Sequence, residues 1–224
     1  MSTVCLAIIG DTIHPPTMAR AQQISQDAPE TAVWLGPYGG TAGRTHALGH
    51  WRDERTEDYL LMLDSQTVPP RSVLAMIDRD RPLVSANVPW FRPIRSAPIP
   101  VPYAFTLREI GEYQTLANPF GRTGCEPVDL VSPYCLLIRR DAIPATLEQP
   151  FVPAWTRLDA RNEYVDSVPL CVAVPPHYDH DQVCDRQQLV SLRALHEGYM
   201  AVFLSIDAGR RPASPASDVQ IVPQ

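Results

Sequence analysis

The chain has 224 residues, which is enough for one domain with a hydrophobic core, and its 45% hydrophobic content excludes a disordered chain. The formal net charge of −6 gives no general attraction to nucleic acid, so a nucleic-acid partner would need a local basic patch. All 19 basic residues are arginine. The lack of lysine excludes mechanisms that need one, such as Schiff-base chemistry or a P-loop.

The five cysteines are scattered along the chain and form no CxxC pair. An odd, scattered set is typical of reduced, mostly buried thiols and predicts a cytoplasmic protein. The opening MSTVCLAIIG is apolar but short and lacks a basic region, so we interpret it as a first strand and not as a signal peptide. No run approaches the roughly 18 apolar residues of a membrane span, which predicts no integral membrane segment.

Apolar runs alternate with helical patterns in the first 90 residues. Buried strands are predicted at residues 3–10, 31–36, 58–64 and 83–88. Helices are predicted between them, at residues 15–26, 44–54 and 69–79. This alternation predicts a parallel sheet with crossover helices. Ligands of such sheets bind beyond the carboxyl ends of the strands, where Asp11, the glycine-rich loop 37–43 and Asp64 would meet.

The second half of the chain has a less regular pattern. Residues 89–128 are rich in proline and are predicted to form an irregular segment over one face of the sheet. Residues 128–143 predict a strand and a turn, and residues 155–167 predict a short helix or a loop. A further strand is predicted at residues 168–174, and leucine spacing predicts a helix at residues 186–200.

The order of these segments resembles that of GT-A-fold glycosyltransferases of the family-2-like kind found in phages and bacteria. The strand DYLLMLD runs into DSQTVPPRSVLAMI, where the family has a D-x-D motif, a proline and an amphipathic helix. Further on, VDLVSPYCLLIRRDAI resembles the strand that precedes the family's acceptor loop. The segment FVPAW and the acidic residues Asp159, Glu163 and Asp166 then stand at the place of its acidic acceptor-side motif. The histidines of PPHYDHD stand where the family has a histidine, and the resemblance covers roughly residues 3–185.

The resemblance implies a fold and an activity. The fold is a single α/β domain of GT-A type over residues 1–207, with a mostly parallel central sheet flanked by helices. Residues 1–90 would form the nucleotide-sugar-binding half and residues 91–207 the loop-rich acceptor half. The proline- and serine-rich residues 208–224 predict a disordered tail. The activity is that of a hexosyltransferase-like enzyme, which moves a sugar from a nucleotide-sugar donor to an acceptor such as a modified DNA base, a protein or a glycan.

The resemblance also implies a donor site. Asp64, Ser65 and Gln66 would lie at the diphosphate, Asp11 would accept a hydrogen bond from the nucleobase or ribose, and Arg44 would bind phosphate, which arginine does bidentately. The departing diphosphate gains negative charge, which Mn²⁺ or Mg²⁺ at Asp64 would neutralise. As alternatives, Asp64 initiates a turn, Arg44 is a surface residue and Asp11 caps a helix.

Gln66 stands where the family has its second aspartate, and a glutamine brings no charge to a metal. Three interpretations follow. The metal is held by Asp64, the diphosphate and a histidine; or arginines carry the phosphate charge and metal dependence is weak; or the site is inactive. The last interpretation favours the alternative function, a non-catalytic GT-A-like protein that binds a nucleotide, a sugar or a partner protein.

The histidine in the first interpretation is His177 or His180. If the strand predicted at residues 168–174 ends on the same edge as Asp64, the following loop brings these histidines to a shared metal site. If the strand runs the other way, they lie on the far edge. A separate zinc site of His177, His180 and Cys184 is a further alternative that lacks a clear second ligand pair.

The acidic cluster supplies the candidate general base. An inverting transfer needs a carboxylate to take the proton of the acceptor hydroxyl. Asp159, Glu163 and Asp166 are spaced to share one face of a helix, which predicts Glu163 or Asp166 as the base. A solvated acidic face is the alternative. Four arginines of the irregular segment would form a basic rim able to meet a phosphate backbone: Arg92, Arg95, Arg108 and Arg122.

Overall fold

The structure is a computed structural model that describes residues 2–36, 38–94, 97–102, 104–109, 112–116, 122–158, 161–186, 188–192 and 202–206. The tail predicted at residues 208–224 lies outside this range, as do Asp159 and Arg95.

Three α-helices are described: α1 (Pro15–Asp27), α2 (Gly40–Glu54) and α3 (Val168–Ala173). Two 3₁₀ helices cover Val73–Arg79 and Arg140–Ala142. The strands are β1 (Val4–Ile9), β2 (Thr31–Leu35), β3 (Tyr59–Asp64), β4 (Thr67–Val68), β5 (Leu83–Asn87), β6 (Pro89–Ile94), β7 (Ala97–Pro102), β8 (Ala104–Glu109), β9 (Glu112–Thr115), β10 (Cys125–Pro127), β11 (Leu130–Val131), β12 (Cys135–Arg139), β13 (Ala154–Leu158), β14 (Arg161–Val165), β15 (His177–Val183), β16 (Asp185–Arg186), β17 (Gln188–Leu192) and β18 (Val202–Ile206).

The largest sheet has seven strands in the order β10-β15-β5-β12-β3-β1-β2. Strands β1, β2, β3, β5 and β15 point in one direction, whereas β10 and β12 run antiparallel to their neighbours. The predicted α/β fold with a mostly parallel central sheet is therefore confirmed at that level. The carboxyl ends of five strands meet at one edge, which we call the carboxyl edge.

Strand β1 shows why the central strands read as continuous apolar runs. All six of its residues are buried, because both faces of the sheet are covered. Ala7 and Ile9 pack on one face, in a cluster that includes Trp51 of α2. Leu6 and Ile8 pack on the other face, in a cluster that includes residues of α1 and of the 3₁₀ helix Val73–Arg79. This alternation explains why one strand contributes to two separate cores.

The segment predicted to be irregular, residues 89–128, contains strands, so that prediction is wrong. Strands β6 and β7 form a two-stranded sheet, and β8 and β9 belong to a five-stranded sheet in the order β11-β8-β9-β13-β14. The prolines of β6 and β7 lie in alternate pairs of the register: Pro89 opposite Pro102, Phe91 opposite Pro100, and Pro93 opposite Pro98. Alternate pairs of an antiparallel ladder exchange no hydrogen bonds, so prolines there remove no ladder donor.

Three predictions in the second half are also corrected. Within residues 155–167, where a short helix or a loop was predicted, strands β13 and β14 pair in antiparallel fashion. The strand predicted at residues 168–174 is instead helix α3, which ends at Ala173. A short apolar run does not distinguish a strand from a buried helix, and a proline suits the first helical turn. Within the predicted helix 186–200, residues Gln188–Leu192 form strand β17. No helix in the described ranges is long and apolar enough to cross a membrane.

Candidate functional site at the carboxyl edge

Asp64 is the last residue of β3 and lies beside Ile9, the last residue of β1. Its backbone N–H donates to the Tyr134 carbonyl over 2.8 Å, and the next amide, of Ser65, donates to the Ile9 carbonyl over 2.9 Å. The Asp64 side chain is 19% exposed. The strand end is therefore fixed on both sides while the carboxylate stays accessible.

Gly10 and Ser65 form a close contact behind Asp64. A Cβ atom on Gly10 would lie 2.1 Å from the Ser65 Oγ, which is far inside van der Waals contact. Ser65 is buried. Of the predicted donor-site residues, Ser65 thus packs against the end of β1, and its contacts are those of a structural residue.

Arg44 links two carboxylates that are far apart in sequence. It belongs to α2 and is only 8% exposed. One terminal nitrogen donates to Asp166 Oδ2 over 2.5 Å, and the other lies 3.6 Å from Asp64 Oδ2. The Thr41 hydroxyl also donates to Asp166 Oδ2, over 2.9 Å. The structure therefore joins Arg44, Asp64 and Asp166 in one cluster, which we call the edge cluster.

Asp11 follows β1 at the same edge and is exposed. Its Oδ1 accepts a hydrogen bond from the backbone N–H of Gly39 over 2.9 Å. Gly39 is the residue that precedes α2. Asp11 thus fixes the loop that leads into the helix of Arg44, while the residue stays exposed at the edge.

Tyr134 and Arg186 complete the surroundings of the cluster, and the sequence did not point to either. The guanidinium carbon of Arg186 lies 3.4 Å from the centre of the Tyr134 ring, and that of Arg44 lies 5.9 Å from it. Pairing of β16 with β4 sets Arg186 opposite Thr67, three residues after Asp64. A two-residue pairing between segments more than 100 residues apart leaves no periodic signal in the sequence.

The described residues do not form the metal site that the resemblance implies. The backbone N–H of Gln66 donates to Asp64 Oδ1 over 3.2 Å, and Asp64 Oδ2 faces Arg44. Both oxygens of the carboxylate therefore face protein donors. Within the described ranges, no group of three or more histidine, cysteine, aspartate or glutamate side chains could hold a metal ion. The described side chains alone therefore supply no complete cage for Mn²⁺ or Mg²⁺.

The structure does not bring His177 or His180 to Asp64. Both belong to β15, which is separated from β3 by β5 and β12. Three strand spacings correspond to about 14 Å. His180 Nε2 instead contacts Glu126 Oε1 over 2.6 Å. The shared site rested on a strand at residues 168–174, and that segment is helix α3.

The two candidate bases lie in different surroundings. The backbone of Glu163 lies in β14 opposite Thr156 of β13, so it does not share a helix face with Asp166. Asp166 follows β14, is 5% exposed and binds both Arg44 and Thr41. The structure brings Asp166 into the edge cluster, and the sequence-based reason for grouping it with Glu163 is wrong.

A separate cavity lies at the opposite edge of the sheet, near the start of β3. Its lining residues are Ser2, Asp58, Tyr59, Arg139, Arg140 and Asp141. Arg140 donates to the backbone carbonyls of Trp51 and Glu57, and Arg139 pairs with Asp141. These arginines are committed to protein acceptors, so this cavity offers less to a charged ligand than the carboxyl edge does.

Of the predicted basic rim, Arg108 is exposed near the end of β8, and Arg122 pairs with Glu126 over 2.7 Å. The pairing of Arg122 reduces the positive charge that it offers to a phosphate backbone. The rim as a basic surface stays a prediction.

No family model matches the chain, and no curated protein matches it. Among solved structures, the chain is similar to a crystal structure of A197 from STIV, with a TM-score of 0.51 and 13% sequence identity. The match covers 96% of this chain and 100% of that chain. At this identity the likeness shows a shared α/β fold and nothing about activity.

Proposed function

We propose that this protein is a glycosyltransferase of GT-A type that binds a nucleotide-sugar donor at the carboxyl edge. The observation that carries the proposal is the edge cluster, in which Arg44 joins Asp64 to Asp166 beside the ends of β1 and β3. Ligands of open α/β sheets bind at this edge. A buried arginine between two carboxylates is costly as core packing, and it gives rigid polar groups where a charged ligand would bind.

The roles follow from exposure and charge. Asp11 is exposed at the end of β1, so it is available to accept a hydrogen bond from a ribose or nucleobase. Arg44 is nearest to Asp64 and supplies a fixed positive charge for the diphosphate. Asp64 orients Arg44 and lies beside the leaving group. Gln66 contacts Asp64 through its backbone, which leaves its side-chain amide for a polar ligand atom.

Glu163 is the better candidate for the general base. Asp166 Oδ2 accepts hydrogen bonds from both Arg44 and Thr41, so this oxygen is already occupied by protein donors. Glu163 lies three residues earlier on β14 and is thus carried by the strand that leads into the edge cluster. We assign Asp166 to positioning Arg44.

A non-catalytic relative that binds a nucleotide, a sugar or a partner protein is the second candidate. Two observations favour it. Gln66 replaces the second carboxylate of the D-x-D pattern, and Arg44 is bound to both carboxylates of the edge cluster. Such a protein would bind the donor and release no nucleotide.

The proposal is tested by measuring nucleotide release from a panel of UDP- and GDP-sugars, with Mn²⁺ and with EDTA in parallel. Asp64→Asn should lower turnover by about a hundredfold or more, because it removes a charge beside the reacting centre. Asp58→Asn is the matched control. Asp58 precedes the same strand at its other end, where it binds Thr3, and its substitution should leave turnover within about twofold.

Each result has a defined meaning. No release from any donor by folded protein contradicts the enzyme proposal. Donor binding without release supports the non-catalytic candidate. Equal turnover in Asp64→Asn and the parent chain excludes Asp64 from the site. The parallel EDTA arm tests the Mn²⁺ or Mg²⁺ dependence that the resemblance implies, which stays a prediction.

A further inference from the structure

Arg186 carries a positive charge beside the edge cluster that no carboxylate among the described residues neutralises. Its guanidinium stacks on Tyr134 at 3.4 Å from the ring centre. In the part of the chain that the structure describes, no carboxylate pairs with it, and its Nε is buried with no hydrogen-bond acceptor. Stacking on the ring holds the planar guanidinium in place and uses none of its N–H donors.

Arg44 also has a buried N–H donor for which the described residues provide no acceptor. Its terminal nitrogens contact Asp166 and Asp64, but its Nε is also buried and has no acceptor among the residues that the structure describes. Arg44 is 8% exposed, so water does not readily compensate. Buried N–H donors almost always have partners, so an unpaired donor at a polar edge indicates an acceptor from outside the described residues, such as a ligand. The two guanidinium groups approach the same tyrosine ring, with their central carbons 5.9 Å and 3.4 Å from its centre.

The two arginines are a second possible source of the positive charge that the resemblance assigns to a metal. Within the described ranges, no group of three or more histidine, cysteine, aspartate or glutamate side chains surrounds Asp64. A departing diphosphate still needs positive charge, and arginine can provide it through paired N–H donors. The guanidinium groups of Arg44 on α2 and Arg186 on β16 could supply this positive charge, although the two elements are remote in sequence.

We infer that Arg186, stacked on Tyr134, is a phosphate-binding residue of the carboxyl edge, and that together with Arg44 it binds a diphosphate without a divalent cation. The chemical class of the ligand, a nucleoside diphosphate or its sugar ester, rests on the proposed function. The binding of the diphosphate group itself does not depend on that function.

The test is calorimetric titration of the full chain with inorganic pyrophosphate and with UDP, in EDTA and then in Mn²⁺. The parent chain should bind both in EDTA. Arg186→Gln should weaken binding by about tenfold to a hundredfold, because a charge-assisted contact is lost. Arg186→Lys should fall between the two, because lysine keeps the charge but not the planar fork. Arg71→Gln is the control: Arg71 pairs with Asp27 on the surface, and binding should not change.

Binding that requires Mn²⁺, no binding of either probe, or equal affinity of Arg186→Gln and the parent chain would each overturn the inference. Thermal unfolding of Arg186→Gln checks that the variant folds, and Arg186→Lys gives a second reading if it does not. The outcome is separable from that of the donor panel. Arginine-dependent pyrophosphate binding without sugar transfer keeps this inference and rejects the enzyme, whereas transfer that is unaffected in Arg186→Gln does the reverse.

Discussion

Gly10 determines how closely the ends of β1 and β3 approach each other. The Ser65 side chain occupies the space where any Cβ on residue 10 would lie, with its Oγ 2.1 Å and its Cβ 2.4 Å from that position. No side chain larger than hydrogen fits without moving the turn after Asp64. The glycine therefore helps to set the position of the carboxylate.

The first prediction concerns this contact. Gly10→Ala should lower the free energy of unfolding by about 1–3 kcal/mol, because overpacking forces the turn to shift. Gly49→Ala is the matched control: Gly49 lies in α2 with open space around its missing Cβ, so alanine should stabilise the protein by up to about 1 kcal/mol. Urea unfolding measures both. Adding Ser65→Gly to Gly10→Ala should recover part of the loss, and equal stability of Gly10→Ala and the parent chain would contradict the contact.

For single residues, the sequence predicts those positions that depend only on the pattern of neighbouring residues along the chain. Asp64 at the end of a buried strand follows from an apolar run that stops at a carboxylate, and the structure has it there. The contact of Arg44 with Asp166 joins residues 122 positions apart. Arg186 reaches the same place through strand pairing. Such contacts are decided by the topology of the second half, which local pattern does not reveal.

Among the elements, β15 was predicted only as a loop that carried two histidines. The apolar run at residues 168–174 suggested a strand just before it, but Val168–Ala173 form the short helix α3. The strand starts at His177 instead, pairs in parallel with β5 and lies next to β10. The charged residues of this strand interrupt the hydrophobic pattern from which a buried strand is predicted. Such a residue is tolerated in the sheet because its charge is paired: Asp179 is fully buried and accepts a hydrogen bond from Arg79 over 2.8 Å.

The position of His177 in β15 gives the protein a pH dependence. Burial lowers the pKa of His177 below its ordinary value of 6.5, and the positive charge of Arg81 lowers it further. The unfolded chain then binds more protons than the folded chain in the window from about 6.5 down to the lowered pKa. Stability should therefore fall as the pH falls through this window.

The second prediction follows from the expected loss of stability as the pH falls. The parent chain should lose more unfolding free energy between pH 7.5 and pH 5.5 than His177→Gln does, because glutamine cannot take up a proton. Urea unfolding at a series of pH values measures the difference, and carboxylates contribute equally to both proteins. Parallel stability curves for the two proteins would show that His177 does not cause the slope.

For the whole molecule, the direction of the strands decides where a ligand binds. Five strands of the seven-stranded sheet end at the carboxyl edge, and the edge cluster lies there with Asp11 and Arg186. The alternation of strands and helices in the first 90 residues was sufficient to predict this edge. The likeness to A197 from STIV extends over 96% of the chain and supports the same overall arrangement.

The measurement that tests the central claim most directly is amide hydrogen exchange with and without UDP-glucose or GDP-mannose. We expect the donor to slow exchange at residues 10–14, 38–44 and 64–68, which form the carboxyl edge around Asp11, Arg44 and Asp64. Residues 55–58 and 139–142, at the opposite edge, should exchange at unchanged rates. Slower exchange at residues 55–58 and 139–142 alone, or unchanged exchange at all three carboxyl-edge segments with either donor, would contradict the account.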